Sequence, residues 1–311
     1  MGESGGGRSG VTPTILVLGA GGMLGHKILQ RLRVEFPSTC CTLRGRVTDY
    51  PYANIPMFHE QGVFGGIDAL NTQQLHALLT RLRPDVVVNC IGVIKQRKTA
   101  REALTTIRLN AVLPHEIAET CAAWGGRVIH FSTDCVFSGH RGNYAEDDVS
   151  DAEDLYGRAK CLGELSGELT LTLRTSIIGR ELTQHRSLLD WFLSQQRKTV
   201  RGFTRAMFSG VTTNHLATLV ATLIRDGMPI SGLYQVASRS ISKHDLLSLI
   251  RDTYKLEIDI IPDSTFVIDR SMTGAKLEAA IGYRCPPWNE LIAELASDPT
   301  PYEEWLHYET V

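Results

Sequence analysis

Short apolar runs alternate with amphipathic segments through the first half of the chain. The runs at 14–18, 39–43, 84–92, 128–131 and 169–175 are rich in β-branched and aliphatic residues. Runs of this kind predict buried strands, and the near-continuous apolar character of 84–92 is typical of a parallel sheet covered on both faces. Helical periodicity follows the first run, from Met23 to about Val34. Together the alternation predicts an α/β fold with a doubly wound parallel sheet of the Rossmann type.

The pattern loosens after Gly179. We predict a helix over 187–196, a loop over 202–210, a helix over 214–226, and strands over 233–236 and 258–261. These elements predict a smaller C-terminal α/β substrate lobe. The expected organisation is a disordered Gly/Ser-rich tail at 1–10, a dinucleotide-binding domain at 11–178 to which 211–237 returns, and a lobe at 179–311.

Composition limits the classes of partner. The chain has 311 residues, a formal net charge of −2 and 43% hydrophobic residues, so nothing in its charge favours nucleic acid or an anionic membrane. Seven cysteines without regular spacing or a preceding signal peptide indicate reduced thiols in the cytoplasm. No apolar run approaches the roughly 20 residues of a membrane-spanning helix. We expect a soluble cytoplasmic protein.

A glycine-rich turn joins the first strand to the first helix. Gly19, Gly22 and Gly25 follow one another at intervals of three residues. Met23 and Leu24, between the second and third glycines, are the first residues of the predicted helix. Missing side chains allow a tight bend, close approach of a pyrophosphate and close helix packing. Glycine-rich turns are common, but one placed between a buried strand and an amphipathic helix predicts a dinucleotide site.

The end of the second predicted strand indicates which cofactor is bound. An acid at this point holds a ribose 2′-hydroxyl and an arginine holds a 2′-phosphate, so Arg44 favours NADP(H) over NAD(H). A solvated loop arginine is nearly as good an interpretation. Ligands of parallel sheets lie outside the carboxyl ends of the strands, which also indicates Cys90, Ile91 and Gly92.

The candidate chemistry lies between 127 and 164. Tyr156 and Lys160 are four residues apart, so a helix puts the phenol and the ammonium on one face. A nearby cation favours phenolate, so we expect Lys160 to lower the Tyr156 pKa. Ser132 or Thr133, at the end of the strand 128–131, offers a hydroxyl to the same substrate oxygen. An isolated Tyr-x-x-x-Lys is more often an ordinary amphipathic pair.

These motifs resemble the extended short-chain dehydrogenase/reductases, and within them the dTDP-4-dehydrorhamnose reductase-like branch. The likeness is carried by Thr-Asp-Cys-Val-Phe-Ser-Gly at 133–139, Tyr-Gly-Arg-Ala-Lys-Cys-Leu-Gly-Glu at 156–164 and the Gly-x-x-Gly-x-x-Gly turn. It implies Thr133, Tyr156 and Lys160 as a catalytic triad. It also implies that Asn110 supports the lysine through a backbone-bound water, and that Asp68 and Ala69 lie by the adenine.

The strand 169–175 ends on the cofactor side as well, which makes Thr175, Ser176 and Ile177 candidates for nicotinamide contact. Arg180, Arg201 and Arg205 are candidates for bidentate contacts to a substrate diphosphate, although each alone is an ordinary surface residue. The ten histidines form neither His-x-x-x-His nor His-Glu-x-x-His, so no catalytic metal is expected.

The resemblance implies NADPH-dependent reduction of a keto group, at C4, on a nucleotide-activated 6-deoxy sugar in deoxysugar biosynthesis. A homodimer is a further expectation. Two alternatives stay open. One is an epimerase of the same fold; a dehydratase is disfavoured, because Asp134 and Cys135 stand where family dehydratases carry Asp-Glu. The other is a non-catalytic NADP-binding regulatory subunit, since such a subunit of methionine adenosyltransferase resembles the same branch.

Overall fold

The computed structural model describes residues 12–93, 101–182 and 187–306. The expected disordered tail at 1–10 lies outside these ranges. No helix within them is long and apolar enough to cross a membrane.

A seven-stranded sheet forms the centre of the fold. Its strands are β1 (Ile15–Leu18), β2 (Cys40–Thr42), β3 (Val63–Phe64), β4 (Val86–Asn89), β5 (Arg127–Ser132), β6 (Thr170–Arg174) and β10 (Gly232–Gln235), in the order β10-β6-β5-β4-β1-β2-β3. Every neighbouring pair is parallel. The chain runs outward from β1 in one direction and from β4 in the other, which leaves a ligand crevice at the carboxyl ends of these two strands. The predicted Rossmann architecture is confirmed.

Helices cover both faces of this sheet. They are α1 (Met23–Glu35), α2 (Thr72–Leu82), α3 (Arg101–Ile107), α4 (Leu113–Ala122), α5 (Leu155–Leu162) and α7 (Thr213–Arg225), with a π-helical turn, Arg108–Val112, between α3 and α4. β1 shows the two-sided burial: Ile15 and Val17 join the cluster with α1 and α7, whereas Leu16 and Leu18 join the one with α2 and α4. This alternation explains why the strands read as continuous apolar runs.

A second core lies beneath a separate three-stranded sheet. Its strands are β8 (Thr199–Phe208), β11 (Ile241–Ser242) and β12 (Asp259–Asp269), in the order β11-β8-β12. Two further short strands, β7 (Ile177–Ile178) and β9 (Val211–Thr212), pair with each other. The remaining helices are α6 (Leu188–Leu193), α8 (Lys243–Tyr254), α9 (Ala275–Ile281), α10 (Trp288–Ala296) and α11 (Tyr302–Leu306). Phe192, Leu246, Ile250 and Ile292 form part of this core.

The expected loop at 202–210 is wrong, because most of it belongs to β8. Gly202 reads as a turn residue in the sequence, but in the sheet it allows close packing. A Cβ atom there would lie 2.7 Å from Ile260 Cγ2 on the neighbouring β12 and 3.0 Å from His244 Cα. The strand that pairs with β8 is β12, and it is longer than the expected strand at 258–261. It continues past an irregularity in the pairing between Asp263 and Val267.

Candidate active site

The glycine turn has the geometry of a phosphate-binding turn. Gly19 has φ +76°, a left-handed conformation that favours glycine, and its carbonyl accepts from Gly22 N at 3.1 Å. A Cβ atom on Gly25 would lie 2.2 Å from Gly19 O, so only glycine lets α1 approach the strand this closely. No side chain caps α1 at Gly22, and no acid occupies its first turn. The free N–H groups and positive end of α1 therefore fit a pyrophosphate.

Met23 and Leu24 open α1 on this turn, Met23 half-buried and Leu24 buried. His26, on the same helix, is fully buried, and its Nδ1 lies 2.9 Å from Gly22 O. Because a carbonyl can only accept, Nδ1 carries the proton, and Nε2 then accepts from the Tyr302 hydroxyl at 2.8 Å. No local sequence pattern indicates this support for the turn.

Arg44 lies directly beyond β2 and is exposed. Within the described part of the chain it forms no ion pair, so its guanidinium is available to a phosphate group. Tyr52 stands beside it: a Cβ on Gly21 would lie 2.6 Å from the Tyr52 hydroxyl, and one on Gly45 would lie 2.9 Å from the same ring. This phenol borders the glycine turn, and sequence reasoning missed it because no local motif announces it.

Asp68 and Ala69 lie beyond β3, at the edge of the sheet next to β2. Asp68 is exposed and its Oδ1 accepts from Leu70 N at 3.0 Å, whereas Ala69 is buried. Their contact with an adenine remains a prediction.

Cys90, Ile91 and Gly92 follow β4 at the crevice. The backbone of Ile91 lies against Gly19, since a Cβ on that glycine would lie 3.3 Å from Ile91 N. Burial raises the pKa of the Cys90 thiol far above its ordinary value, so this cysteine is a packing residue rather than a nucleophile.

Asn110 is fully buried in the π-helical turn. Its Oδ1 accepts from Val93 N at 2.8 Å and its Nδ2 donates to Val93 O at 3.0 Å. The side chain therefore fixes the segment that leaves β4. Support of Lys160 through a water bound to the Asn110 backbone stays a prediction.

The hydroxyls of Ser132 and Thr133 have different hydrogen-bond partners. Consecutive residues of an extended chain point to opposite sides, and the Ser132 hydroxyl donates to Glu164 Oε1 at 2.6 Å. Glu164 in turn accepts two bonds from the buried Arg174, at 2.9 and 2.8 Å. In this arrangement Glu164 holds the Ser132 hydroxyl, and a catalytic role for Ser132 stays a prediction. Thr133 is the hydroxyl on the side of Tyr156.

The Thr133 hydroxyl is well fixed. It donates to Asp134 Oδ1 at 3.1 Å and accepts from Cys135 N at 3.2 Å. Tyr156 stands on α5, and Asp154 caps this helix by accepting from Gly157 N at 2.8 Å. A Cβ on Gly157 would lie 2.1 Å from Cys135 O, so a glycine after the tyrosine lets α5 press against the Thr133 segment.

The Tyr156 phenol is held protonated. Burial raises its pKa well above 10, and the neighbouring Cys135, Asp134 and Asp154 raise it further, while a hydrogen-bonding interaction with Thr133 lowers it by less. The expectation that Lys160 lowers this pKa is not met.

Lys160 turns instead toward the sheet. Its Nζ donates to Phe131 O at 2.6 Å and lies 3.3 Å from His130 Nε2. Burial lowers the Lys160 pKa to about 8, although Glu164 opposes the shift. Helical spacing does bring Tyr156 and Lys160 to one face, as predicted, but the lysine chain extends past the phenol to the end of β5.

Thr175 and Ile177 lie beyond β6, beside the end of β5. The Thr175 hydroxyl is buried and donates to Val236 O at 2.8 Å, and its backbone N–H donates to Ser132 O at 3.4 Å, so contact of Thr175 with a nicotinamide stays a prediction. Ile177 is half-buried and begins β7.

A cavity of about 390 Å³ opens beside Thr133. Its polar lining is Asp134, Cys135, Ser176, Arg201, Lys243 and Arg270, and its apolar lining includes Trp191, Phe203, Phe208 and Phe266. Arg201 is exposed and makes one long contact, 3.4 Å to Asp263 Oδ2. Arg180 is instead paired with Asp190 at 2.6 Å and Glu303 at 2.9 Å, and Arg205 does not line the cavity. Of the three arginine candidates, only Arg201 is placed for a substrate diphosphate.

No group of three metal-ligating side chains occurs within the described ranges. The site combines a protonated phenol, a hydroxyl and a lysine, set on the same sheet edge as a phosphate-binding turn. That combination defines a nicotinamide-dependent oxidoreductase with a Rossmann fold.

Comparison with known proteins agrees with this class. The profile of the RmlD substrate binding domain family matches residues 13–299, and the chain belongs to that family. A dTDP-4-dehydrorhamnose reductase of Salmonella typhimurium is 27% identical over 227 residues, which cover 67% of this chain and 75% of the relative. A mouse methionine adenosyltransferase 2 subunit beta is 26% identical over 152 residues, covering 48% of this chain and 41% of the subunit.

Among solved structures, a Bacillus anthracis dTDP-4-dehydrorhamnose reductase in complex with NADP superposes with a TM-score of 0.75. The match covers 92% of this chain and 99% of the other at 19% identity, and it establishes the shared fold. The protein is thus an oxidoreductase that uses a nicotinamide cofactor.

Proposed function

We propose that this protein reduces the C4 keto group of a nucleotide-activated 6-deoxy sugar with NADPH. The observation that carries the proposal is the pairing of a protonated Tyr156 with Thr133, directly before Asp134 and Cys135, which line the 390 Å³ cavity. A carbonyl that accepts hydride must gain a proton at its oxygen. Tyr156 on α5, which interacts with the Thr133 hydroxyl, is suited to supply that proton.

The roles of the chain's residues follow from their states. The bound nicotinamide would supply hydride to the carbonyl carbon. Tyr156 stays protonated at neutral pH and gives its proton to the oxygen. Thr133 can turn its hydroxyl from Asp134 to that oxygen, because Cys135 N still holds its Oγ1 in place. We assign to Lys160 the role of binding the ribose of the cofactor. Its ammonium has three N–H groups, and one of them donates to Phe131 O.

NADP is favoured over NAD by Arg44. An unpaired guanidinium at the end of β2 suits a 2′-phosphate, and the carboxylate that would hold a 2′-hydroxyl is missing from that position. Gly19, Gly22 and Gly25 would take the pyrophosphate. We infer that 11–178, with 211–237, bind the cofactor, and that 179–311 mainly bind the sugar nucleotide. A cytoplasmic location and a homodimer remain predictions of the sequence.

One experiment separates the reductase from its alternatives. The purified protein is mixed with NADPH and a dTDP-4-keto-6-deoxyhexose, and the cofactor absorbance is followed. Stoichiometric loss of NADPH together with the reduced sugar supports the proposal. An epimerase would change the sugar stereochemistry and leave NADPH intact. A non-catalytic regulatory subunit would bind NADPH and consume none.

A further inference from the structure

Lys243 occupies a costly position. It is the first residue of α8, where Ser242 caps the helix by accepting from Asp245 N at 3.0 Å. A cation at this end of a helix is repelled by the helix dipole. Burial also lowers the Lys243 pKa to about 8, against the attraction of Asp134 and Cys135.

The cost is not recovered through a protein partner. Over the described ranges no hydrogen-bond acceptor or carboxylate oxygen pairs with Lys243 Nζ, and its closest recorded contact is the Phe208 ring, 3.8 Å from Nζ to the centroid. A cation over a ring gains roughly 0.5–2 kcal/mol, less than a buried ammonium requires. A residue that opposes stability and faces a cavity is better explained by a ligand.

Asp134 shares the cavity wall with Lys243. Burial raises the Asp134 pKa, while Thr133, Lys243 and Arg270 lower it by smaller amounts. One carboxylate oxygen takes the Thr133 hydroxyl at 3.1 Å, which ties this acid to the reacting end of the cavity. Arg270 lies on the same wall, where its Nε donates to Phe137 O at 2.8 Å and its Nη1 lies 3.8 Å from Cys135 Sγ. The cavity therefore presents a donor-only ammonium and an acceptor carboxylate near Thr133.

We propose that Lys243 and Asp134 together recognise a ring hydroxyl of the sugar next to its keto group, which makes Lys243 a specificity-determining residue. The inference rests on the proposed function. A hydroxyl both accepts and donates, so it satisfies the ammonium and the carboxylate at once. A diphosphate fits less well, because Asp134 would repel it and Arg201 is placed for it at the exposed side. The flanking aromatic rings suit the apolar face of a pyranose.

The test compares two ketones, the dTDP-4-keto-6-deoxyhexose and its analogue without the hydroxyl beside the ketone. A hydrogen bond to a charged group corresponds to roughly 10- to 150-fold, so Lys243→Met should lower kcat/KM for the hydroxylated ketone by about that factor. The deoxy analogue should change by less than about threefold, and inhibition by dTDP should not change. Lys198→Met removes an exposed lysine of the same lobe and serves as the control.

An equal loss with both ketones would overturn the proposal, as would weaker inhibition by dTDP, which would place Lys243 at the diphosphate. Thermal unfolding of Lys243→Met checks that the fold survives; if it does not, Lys243→Gln replaces it. If the parent protein reduces neither ketone, the proposed function fails by itself. Calorimetric binding of dTDP and of the reduced dTDP-6-deoxyhexose then decides: loss of the affinity added by the sugar supports the role of Lys243, and an unchanged increment refutes it.

Discussion

Removing the Tyr156 hydroxyl should separate chemistry from folding. Tyr156→Phe keeps the ring and its packing. The Thr133 hydroxyl loses one interaction but retains Asp134 Oδ1 at 3.1 Å and Cys135 N at 3.2 Å, so no buried group is left without a partner. The net loss of stability should be about 0.5–1.5 kcal/mol, the value of a typical hydrogen bond.

The effect on turnover should be much larger. With its pKa raised, the phenol is protonated at neutral pH and is the proton donor of the site. A general acid contributes about 10²- to 10⁴-fold, and at 1.36 kcal/mol for each tenfold this is roughly 2.7–5.4 kcal/mol of barrier. The loss should appear in kcat, because the cofactor is held by the glycine turn.

The assay is NADPH oxidation with a dTDP-4-keto-6-deoxyhexose, alongside direct titration of NADPH binding. Tyr283→Phe is the matched control, since its hydroxyl lies 2.7 Å from His215 Nε2 and lines a separate cavity. It should turn over at the parent rate. If Tyr156→Phe also reduced the keto sugar at that rate, the assignment of the acid would be wrong.

Four further outcomes follow from the site. Lys160→Met should weaken NADPH binding and lower kcat together; unchanged NADPH affinity would remove Lys160 from the ribose. Because burial lowers the Lys160 pKa to about 8, its charge is present below that pH and lost above it, so the NADPH affinity of the parent should fall as pH rises through about 8 and that dependence should vanish in Lys160→Met. Arg44→Asp should weaken NADPH by roughly 10- to 150-fold and NADH little, with Arg46→Asp as the control; an equal loss of both cofactors would refute the 2′-phosphate contact. Gly25→Ala should reduce affinity for both cofactors at least about tenfold in titrations, because its Cβ would lie 2.2 Å from Gly19 O, and unaltered binding would contradict the close packing of α1.

Local patterns predicted much of the fold and part of the site. The strand, glycine turn and helix at the start of the chain were readable because strand, tight turn and helix each have a short-range sequence requirement. The spacing of Tyr156 and Lys160 was readable because helical geometry depends on the local chain alone. The loop expected at 202–210 was wrong because Gly202 packs against Ile260, which lies about sixty residues farther along the chain.

Protonation states lay beyond the sequence. The four-residue spacing suggested that Lys160 would lower the Tyr156 pKa. In the structure the Lys160 ammonium donates to Phe131 O, and burial, together with Asp134 and Asp154, raises the Tyr156 pKa. A pKa depends on all the charges and solvent around a group, and these come from several elements.

The sequence by itself determined the Rossmann sheet and the glycine turn, and it predicted Tyr156, Lys160 and a hydroxyl of Ser132 or Thr133 as the reacting groups, because each is specified within a few neighbouring residues. Tertiary structure alone decided that Thr133 rather than Ser132 faces Tyr156. It also decided that Arg180 forms ion pairs with Asp190 and Glu303, and that Lys243 and Asp134 line the same cavity. These outcomes depend on contacts between segments far apart in the chain, and no local pattern encodes such contacts.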